Sequence, residues 1–565
     1  MVSSVPTRRF VPQQLDPAEW AQVEPLFDRL EARSIESPAG LVRWLLDQDE
    51  LASCLSEYAA RRYIDMTCHT DDPEIERRYL HWVEQIAPKL EPCWHRLKLR
   101  YLESPHRAGL DRRTYEVYDR HVQARVELFR EENIPLQTEL TTLDQQYDKL
   151  SGAMTVHFRG EEWTLPQMGR FQEEADRELR RVAWEGVAAR RLEDRAAIES
   201  IFERMLELRQ EVARNAGFED YRAYAWKSRA RFDYTPEDCL RFHDAVAEAV
   251  VPLRDRVDER RRQKLGVPTL RPWDLAVDPD GQPPLRPFET PERLCQGVET
   301  ILGRLSSDFE QEFAGLRARG ALDVESRKGK APGGYQYTLD EIREPFIFMN
   351  AAGLQRDVET LLHEGGHALH AAATRALPLQ LYRHAPFEFC EVASMAMEHL
   401  GRPHLDVFYN PEDARRAARK HLEDVVALVP WIAIVDSFQH GLYTHPGHSR
   451  DERREAWNRT LDRFYHKLDW TDWDTARDAM WHRQGHLFGS PFYYIEYAIA
   501  QMGALQIWLQ AREDPERAIR NYRRALALGG SRPLPELFAA AEIRFDFSER
   551  TLVPLMEAVE QELEG

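Results

Sequence analysis

"LQRDVETLLHEGGHALHAAATRA", residues 354–376, is periodic and unbroken until Pro378, and it predicts a single helix. With each residue advancing roughly 100°, Val358, Leu361, Leu362, Leu369 and Ala372 gather on one side, while His363, His367 and His370 fall within about 60° of one another on a different side. The first side asks for a core. The second offers two imidazoles one turn apart, the spacing at which a single tetrahedral zinc ion is held. Glu364 points about 100° round from His363, off the metal axis but close enough to hold a water on that metal. Gly365 and Gly366 each cost a helix interior roughly 1 kcal/mol relative to Ala, so another backbone or a ligand is expected to come close there.

The chain around this segment has 565 residues, more than one compact core usually holds, so two or more lobes are expected. Hydrophobic residues make up 43% and charged residues 30%, the balance of a soluble globular protein. A net charge of -20 argues against a nucleic-acid partner, which calls for a basic stripe. Six scattered cysteines with no C-x-x-C pair predict neither a disulfide framework nor a zinc knuckle. The first twenty residues carry no apolar core of a secretory signal. The longest apolar run, "VVALVPWIAIV" (425–435), is interrupted by Pro430 and too short to span a bilayer. A cytoplasmic protein with no membrane partner is expected.

Helical periodicity dominates the rest. Residues 16–135 read as successive amphipathic helices broken near Pro38, Pro88 and Pro105, and 136–150 continue as helix. "MTVHFRGEEWTL" (154–165) alternates around Arg159-Gly160 and predicts a β-hairpin. Residues 265–292 are proline-rich and read as a long irregular connection. A second hairpin is signalled by "GGYQYTL" (333–339) and "PFIFMN" (345–350), and helices follow to the end. The fold class is therefore mainly α with small β pieces, divided into an N-terminal helical region, 1–150, and a larger domain, 151–565.

A zinc site at His363 and His367 needs a third protein ligand. A third histidine six residues beyond the second is excluded, because Ala373 stands there. The helix read in "PFEFCEVASMAMEHL" (386–400) carries Glu388, Glu391 and Glu398, which a helical hairpin could bring beneath the histidines. Of these, Glu388 reads as a solvated loop carboxylate. Glu398 reads either as a helix-surface charge or as a partner orienting a ligating histidine.

"HEGGHALH" followed by "FCEVASMAME" resembles the M3 zinc metallopeptidases, the group of thimet oligopeptidase and oligoendopeptidase F. "FQEEADRELRRVAWEG", "NAGFEDYRAY", "PFIFMNAAGLQRDVETLLHE" and "LGGSRPLPELFAAAEI" extend the resemblance over roughly 165–565, and more loosely over the N-terminal helices. The resemblance implies one zinc ion per chain held by His363, His367 and Glu391, with Glu364 as the general base that activates water. It also implies hydrogen-bond donors to the oxyanion in "HRQGHLFGSPFYYIEYAIAQ" (482–501), where His486, Tyr494 and Tyr497 match best. Tyr493 is a rival for Tyr494, Ser490 stands where some relatives have a further tyrosine, and His482 reads as a core or surface histidine. The implied fold is a two-lobed helical body with a deep channel that admits short unstructured peptides and excludes folded proteins. "PFIFMNAAG" would supply an edge strand that pairs with the substrate backbone. The expected activity is that of a zinc-dependent endopeptidase on oligopeptides. The alternatives are a dipeptidyl carboxypeptidase of the same family and, in another class, an inactive peptide-binding protein, which the presence of Glu364 and all three candidate ligands disfavours.

Overall fold

The computed structural model describes residues 8–564. Helices build most of it, and their apolar faces converge on two large cores. The N-terminal core runs from Phe10 to Val122 and is filled by α1 (Trp20–Ala32), α2 (Pro38–Cys68), α3 (Ala87–Glu103) and α4 (Arg112–Leu128). The larger core extends from Tyr147, on α5 (Asn133–Gly152), to Leu563. Pro38 opens α2 behind the Ser37 cap, and Pro105 opens a 3-10 turn, as breaks in periodicity predict. Pro88 behaves differently. A π-helical turn at Trp82–Ile86 precedes it, and α3 starts at Ala87 without a break in the helical path. The wider turn absorbs the missing N–H and the ring's clash with the preceding carbonyl.

The hairpin at 154–165 is present as β1 (Thr155–Phe158) and β2 (Glu161–Thr164), with Arg159 and Gly160 at positive φ in its turn. Further along the chain, α6 spans Pro236–Ala245 behind a Thr235 cap. The second sheet has three strands in the order β3 (Leu322–Glu325), β5 (Glu344–Ala351), β4 (Tyr335–Leu339). This corrects the edge-strand expectation for "PFIFMNAAG". That segment is β5, the central strand, antiparallel to β4 on one side and parallel to β3 on the other. Four residues of β3 were too few to register as alternation in the sequence.

The sheet is tied to the N-terminal lobe by α2. Glu57 accepts the N–H groups of Glu341 and Ile342 in the β4–β5 turn at 3.0 and 2.9 Å, and Ser56 donates to Asp340. A hollow of about 450 Å³ is lined by α2, α3, α4 and Leu379–Leu381, and another of about 270 Å³ by α2, α3, α5 and Tyr337 of β4. The fold is thus mainly α and two-lobed.

Four further helices carry the candidate site: α7 (Gln355–Thr374), α8 (Phe387–Gly401), α9 (Pro411–Thr444) and α10 (Tyr494–Glu513). Asp357 caps the start of α7, accepting from the N–H groups of Ala352 and Leu354. In α9, Pro430 is taken up inside one long helix. It is the one helix among the described residues long and apolar enough to cross a membrane, and 72% of its most apolar window is buried in the fold.

Candidate metal and active centre

The α7 segment folds as its periodicity demands. Val358, Leu361 and Leu362 are fully buried, and His363 and His367 stand on the other face, 18% and 14% exposed. His370 leaves this set. It is buried against Phe389, and burial pushes its imidazole down to about 3, so it is a neutral core histidine. The hairpin partner is α8, and Gly366 makes its approach possible. A Cβ built at Gly366 would lie 2.6 Å from Ala393 O and 2.7 Å from Ser394 Cα, whereas one at Gly365 would meet nothing within 4 Å. Only the second glycine of the pair is required by packing.

This close crossing sets Glu391 beneath the histidines. Its Oε2 lies 3.2 Å from His363 Nε2 and 3.5 Å from His367 Nε2. Ser394 Oγ donates to that same oxygen at 3.0 Å, and the Tyr493 hydroxyl donates to Oε1. Two imidazole nitrogens and one carboxylate oxygen converging on a point form a donor set that fits a zinc ion with an open position. Glu398 is the orienting partner of the two readings left open. Its Oε1 lies 2.7 Å from His363 Nδ1, and its Oε2 lies 3.1 Å from His421 Nε2, which fixes the His363 ring and leaves Nε2 for a ligand. Burial opposes the charges here, but the paired groups outweigh it. His363 is held above its usual range by Glu391 and Glu398, and Glu391 well below its own by His367 and His363.

Glu364 is 4% exposed, and its Oε2 has no hydrogen-bond partner among the described residues. Burial raises its carboxyl above the ordinary range, against the pull of His363 and His367. The loop ahead of β4 passes over it: a Cβ at Gly334 would come within 3.3 Å of Glu364 Oε1. Asn350 donates to the carbonyls of Ala331 and Gly333, and the buried Lys330 ammonium donates to Asp323, Glu325 O and Met349 O, so this loop is held firmly. Sequence reading passed over Gly334, although the Gly-Gly pair before a Tyr-rich strand was its signal.

Glu388 corrects the expectation of a solvated loop carboxylate. It lies in the first turn of α8, 4% exposed, where it accepts from the Tyr234 hydroxyl at 2.7 Å and faces the Arg231 guanidinium at 3.9 Å. His482 is a core histidine paired with Glu199, as read.

The segment 484–497 closes the site from the other side. Trp431 Nε1–H donates to Gln484 Oε1 at 3.2 Å, which turns the Gln484 amide N–H toward His486 Nδ1 at 3.0 Å. The ring proton of His486 is thereby placed on Nε2, which lies 3.1 Å from the Tyr497 hydroxyl. Burial pushes His486 down to about 4, so the relay is neutral and ends in an O–H free to donate. Tyr493, not Tyr494, reaches Glu391. Tyr494 packs its ring edge-on to His486 and lies deeper, 8% exposed, its phenol beside Trp431 and Gln484. Of this rival pair, Tyr493 faces Glu391 and Tyr494 faces Trp431 and Gln484, because α10 begins between the two residues and turns their side chains apart. Phe492, just before them, adopts φ +63° and accepts a hydrogen bond from buried Arg231 through its carbonyl.

The chain has matches among known proteins. The family model described as Peptidase family M3 matches residues 170–555, and that of the Peptidase M3 N-terminal domain matches 10–129. The chain is similar to the chromosomal oligoendopeptidase F of Lactococcus lactis subsp. cremoris, 23% identical over 45% of this chain and 41% of that protein. It is also similar to an oligoendopeptidase F homolog of Borreliella burgdorferi, 25% identical over 44% of this chain and 42% of the other. These alignments span less than half the length of either relative. Solved structures match throughout. Pz peptidase A with an inhibitor superposes at a TM-score of 0.93 with 26% identity, covering 98% of this chain and 99% of the other. An X-ray structure assigned as an oligoendopeptidase F superposes at 0.94 with 27% identity, covering 99% of both. The chain belongs to peptidase family M3.

Proposed function

We propose that this peptidase is a zinc-dependent endopeptidase that hydrolyses short, unstructured oligopeptides. The observation that carries the reading is the convergence of His363 Nε2, His367 Nε2 and Glu391 Oε2, separated by 3.2 and 3.5 Å, beside a buried carboxylate with an unpartnered oxygen. These three side chains would hold one zinc ion per chain. The ion supplies Lewis-acid activation of a water and of the scissile carbonyl. Glu364 takes the proton of the attacking water and delivers it to the leaving amine. Its burial suits this work, since a raised carboxyl is the better base. Tyr497, backed by the neutral relay through His486 and Gln484, donates to the oxygen on which negative charge develops, while the Tyr493 hydroxyl holds Glu391 Oε1. Glu398 and Ser394 keep His363 and Glu391 aimed.

Peptide backbone would be held along the β4 side of the three-stranded sheet, since β5 is paired on both edges. The M3 N-terminal match at 10–129 and the catalytic match at 170–555 support a two-domain organisation with the division near residue 150. We place the protein in the cytoplasm, acting on peptides and not on nucleic acid or membranes.

The test uses quenched peptides blocked at both ends, with and without chelator, together with Glu364→Gln. Cleavage of blocked peptides that stops on chelation and returns with zinc is expected. The Glu364→Gln variant should keep its metal while losing roughly 10²–10⁴-fold in kcat. Cleavage that requires a free C-terminal carboxylate would shift the reading to a dipeptidyl carboxypeptidase. Undiminished turnover by zinc-loaded Glu364→Gln would remove Glu364 as the base.

A further inference from the structure

A second group of metal-ligating side chains lies where α6 crosses α9. Each helix contributes two residues one turn apart: Cys239 and His243 from α6, Asp436 and His440 from α9. One donor atom each from Cys239, Asp436 and His440 lie within 4.8 Å of one another, and Asp436 Oδ2 and His440 Nε2 are 3.3 Å apart. Around a tetrahedral zinc with bonds of roughly 2.0–2.3 Å, ligand atoms stand about 3.3–3.7 Å from each other. The Asp436–His440 separation thus falls in the range of the 3.2 and 3.5 Å separations in the His363–His367–Glu391 trio.

Two further features point to an ion. Cys239, Asp436 and His440 are 0%, 0% and 4% exposed, yet Asp436 Oδ1 and His440 Nε2 have no hydrogen-bond partner among the described residues. Buried polar atoms in folded proteins are almost always satisfied, so each such exception calls for a reason. His243 Nε2 donates to Asp436 Oδ2 at 2.9 Å, which fixes the carboxylate and leaves Oδ1 for another partner. A thiolate, a carboxylate and an imidazole together neutralise a dication, and a mixed S, N, O set suits borderline-soft zinc better than magnesium or calcium.

We propose that Cys239, Asp436 and His440 form a structural zinc site, separate from the active centre, with His243 holding the Asp436 carboxylate in place. The site is closed to substrate by its burial, so its work is mechanical. Gln439, next to His440, accepts the N–H of Phe492, and the Phe492 ring lies 5.5 Å from that of His440. Phe492 is the left-handed residue directly before Tyr493. A zinc clasp between α6 and α9 braces the seat on which this strained turn holds Tyr493 against Glu391.

The decisive experiment is done on full-length His363→Ala, in which the active-centre ligand set is broken. Elemental analysis after purification without chelator should find about one zinc per chain. Exchange of that metal for Co²⁺ should give an intense near-ultraviolet thiolate-to-cobalt charge-transfer band, which the His363–His367–Glu391 donors cannot produce because they include no sulfur. Cys239→Ser in the same background should lose the band and the ion, whereas Cys390→Ser, which alters the half-buried thiol, should keep both. The Tm should fall by several degrees when the metal is lost. Metal-free His363→Ala that takes up no cobalt, or a cobalt spectrum without the sulfur band, overturns the proposal. The spectrum of His363→Ala itself decides the matter even if Cys239→Ser does not fold. A wild-type protein with one zinc that His363→Ala retains would support this site while counting against the active-centre reading.

Discussion

Gly365 and Gly366 invite the same substitution, and the structure predicts opposite results. At Gly365 a methyl group would meet nothing within 4 Å and would enter a small apolar gap bounded by Phe313, Leu316, Pro345 and Leu369. Gly365→Ala should therefore collect the helix-propensity gain of about 1 kcal/mol. At Gly366 the same methyl lies 2.6 Å from Ala393 O, about 0.8 Å inside the 3.4 Å at which such contacts become ordinary, and the obstacle is backbone. That carbonyl also accepts from buried Tyr522, so it is doubly held. Overpacking of this kind costs about 1–3 kcal/mol, which cancels or reverses the propensity gain. The larger effect is on the metal. Pushing α7 from α8 by several tenths of an ångström moves His363 and His367 away from Glu391 by a similar amount, whereas metal sites hold their distances to about ±0.2 Å. Gly366→Ala should lose at least roughly tenfold in zinc affinity, about 1.4 kcal/mol. Competition with a chromogenic chelator measures the affinity, and denaturant unfolding of the apo-proteins separates it from stability. Equal zinc affinities for the two alanine variants, with equal stabilities, would refute the claim that Gly366 sets the helix approach.

Other outcomes follow from the same geometry. Tyr493→Phe and Tyr497→Phe should each lower kcat more than they raise KM, while Tyr494→Phe should change kcat little; steady-state kinetics on one peptide compares them. Glu388→Gln should retain zinc in the chelator assay but unfold more easily, by roughly 1–3 kcal/mol, because it leaves Arg231 and Tyr234 with a weaker buried partner. Glu199 is held at about 2: burial opposes its ionisation, and the His482 hydrogen bond and the Arg453 charge outweigh that, with burial keeping His482 toward neutrality and leaving Arg453 as the charge partner. A depressed carboxylate contributes stability that is full above its unfolded value, near 4.5, and is lost as pH falls through the folded one. The stability gap between the native protein and Glu199→Gln, on the order of 2–3 kcal/mol at pH 7, should narrow between pH 5 and 3 in denaturant titrations. A gap constant over that range would contradict the assignment.

What the sequence determined by itself was whatever a local period encodes. A 3.6-residue repeat placed His363 and His367 on one face of α7 and the apolar residues on another. Alternation around Arg159-Gly160 located the first hairpin, and the family motifs picked Glu391 from three carboxylates. These depend on residues within a few turns of each other, where helix geometry leaves little freedom. The tertiary structure decided the rest, because it turns on contacts between distant segments. Whether β5 lay at an edge depended on β3, a four-residue strand 22 positions earlier at its start. Tyr493 and Tyr494 are neighbours in sequence with equal chemistry, and the start of α10 sends only the first to Glu391. Glu388 looked solvated because nothing local foretold Tyr234 and Arg231 folding over it. Of two adjacent glycines, only the packing of α8 made one indispensable. Nothing in the sequence around Cys239 or Asp436 singles either residue out. They become a candidate metal site only because two helices almost two hundred residues apart cross there, and long-range packing of that kind is what no local pattern records.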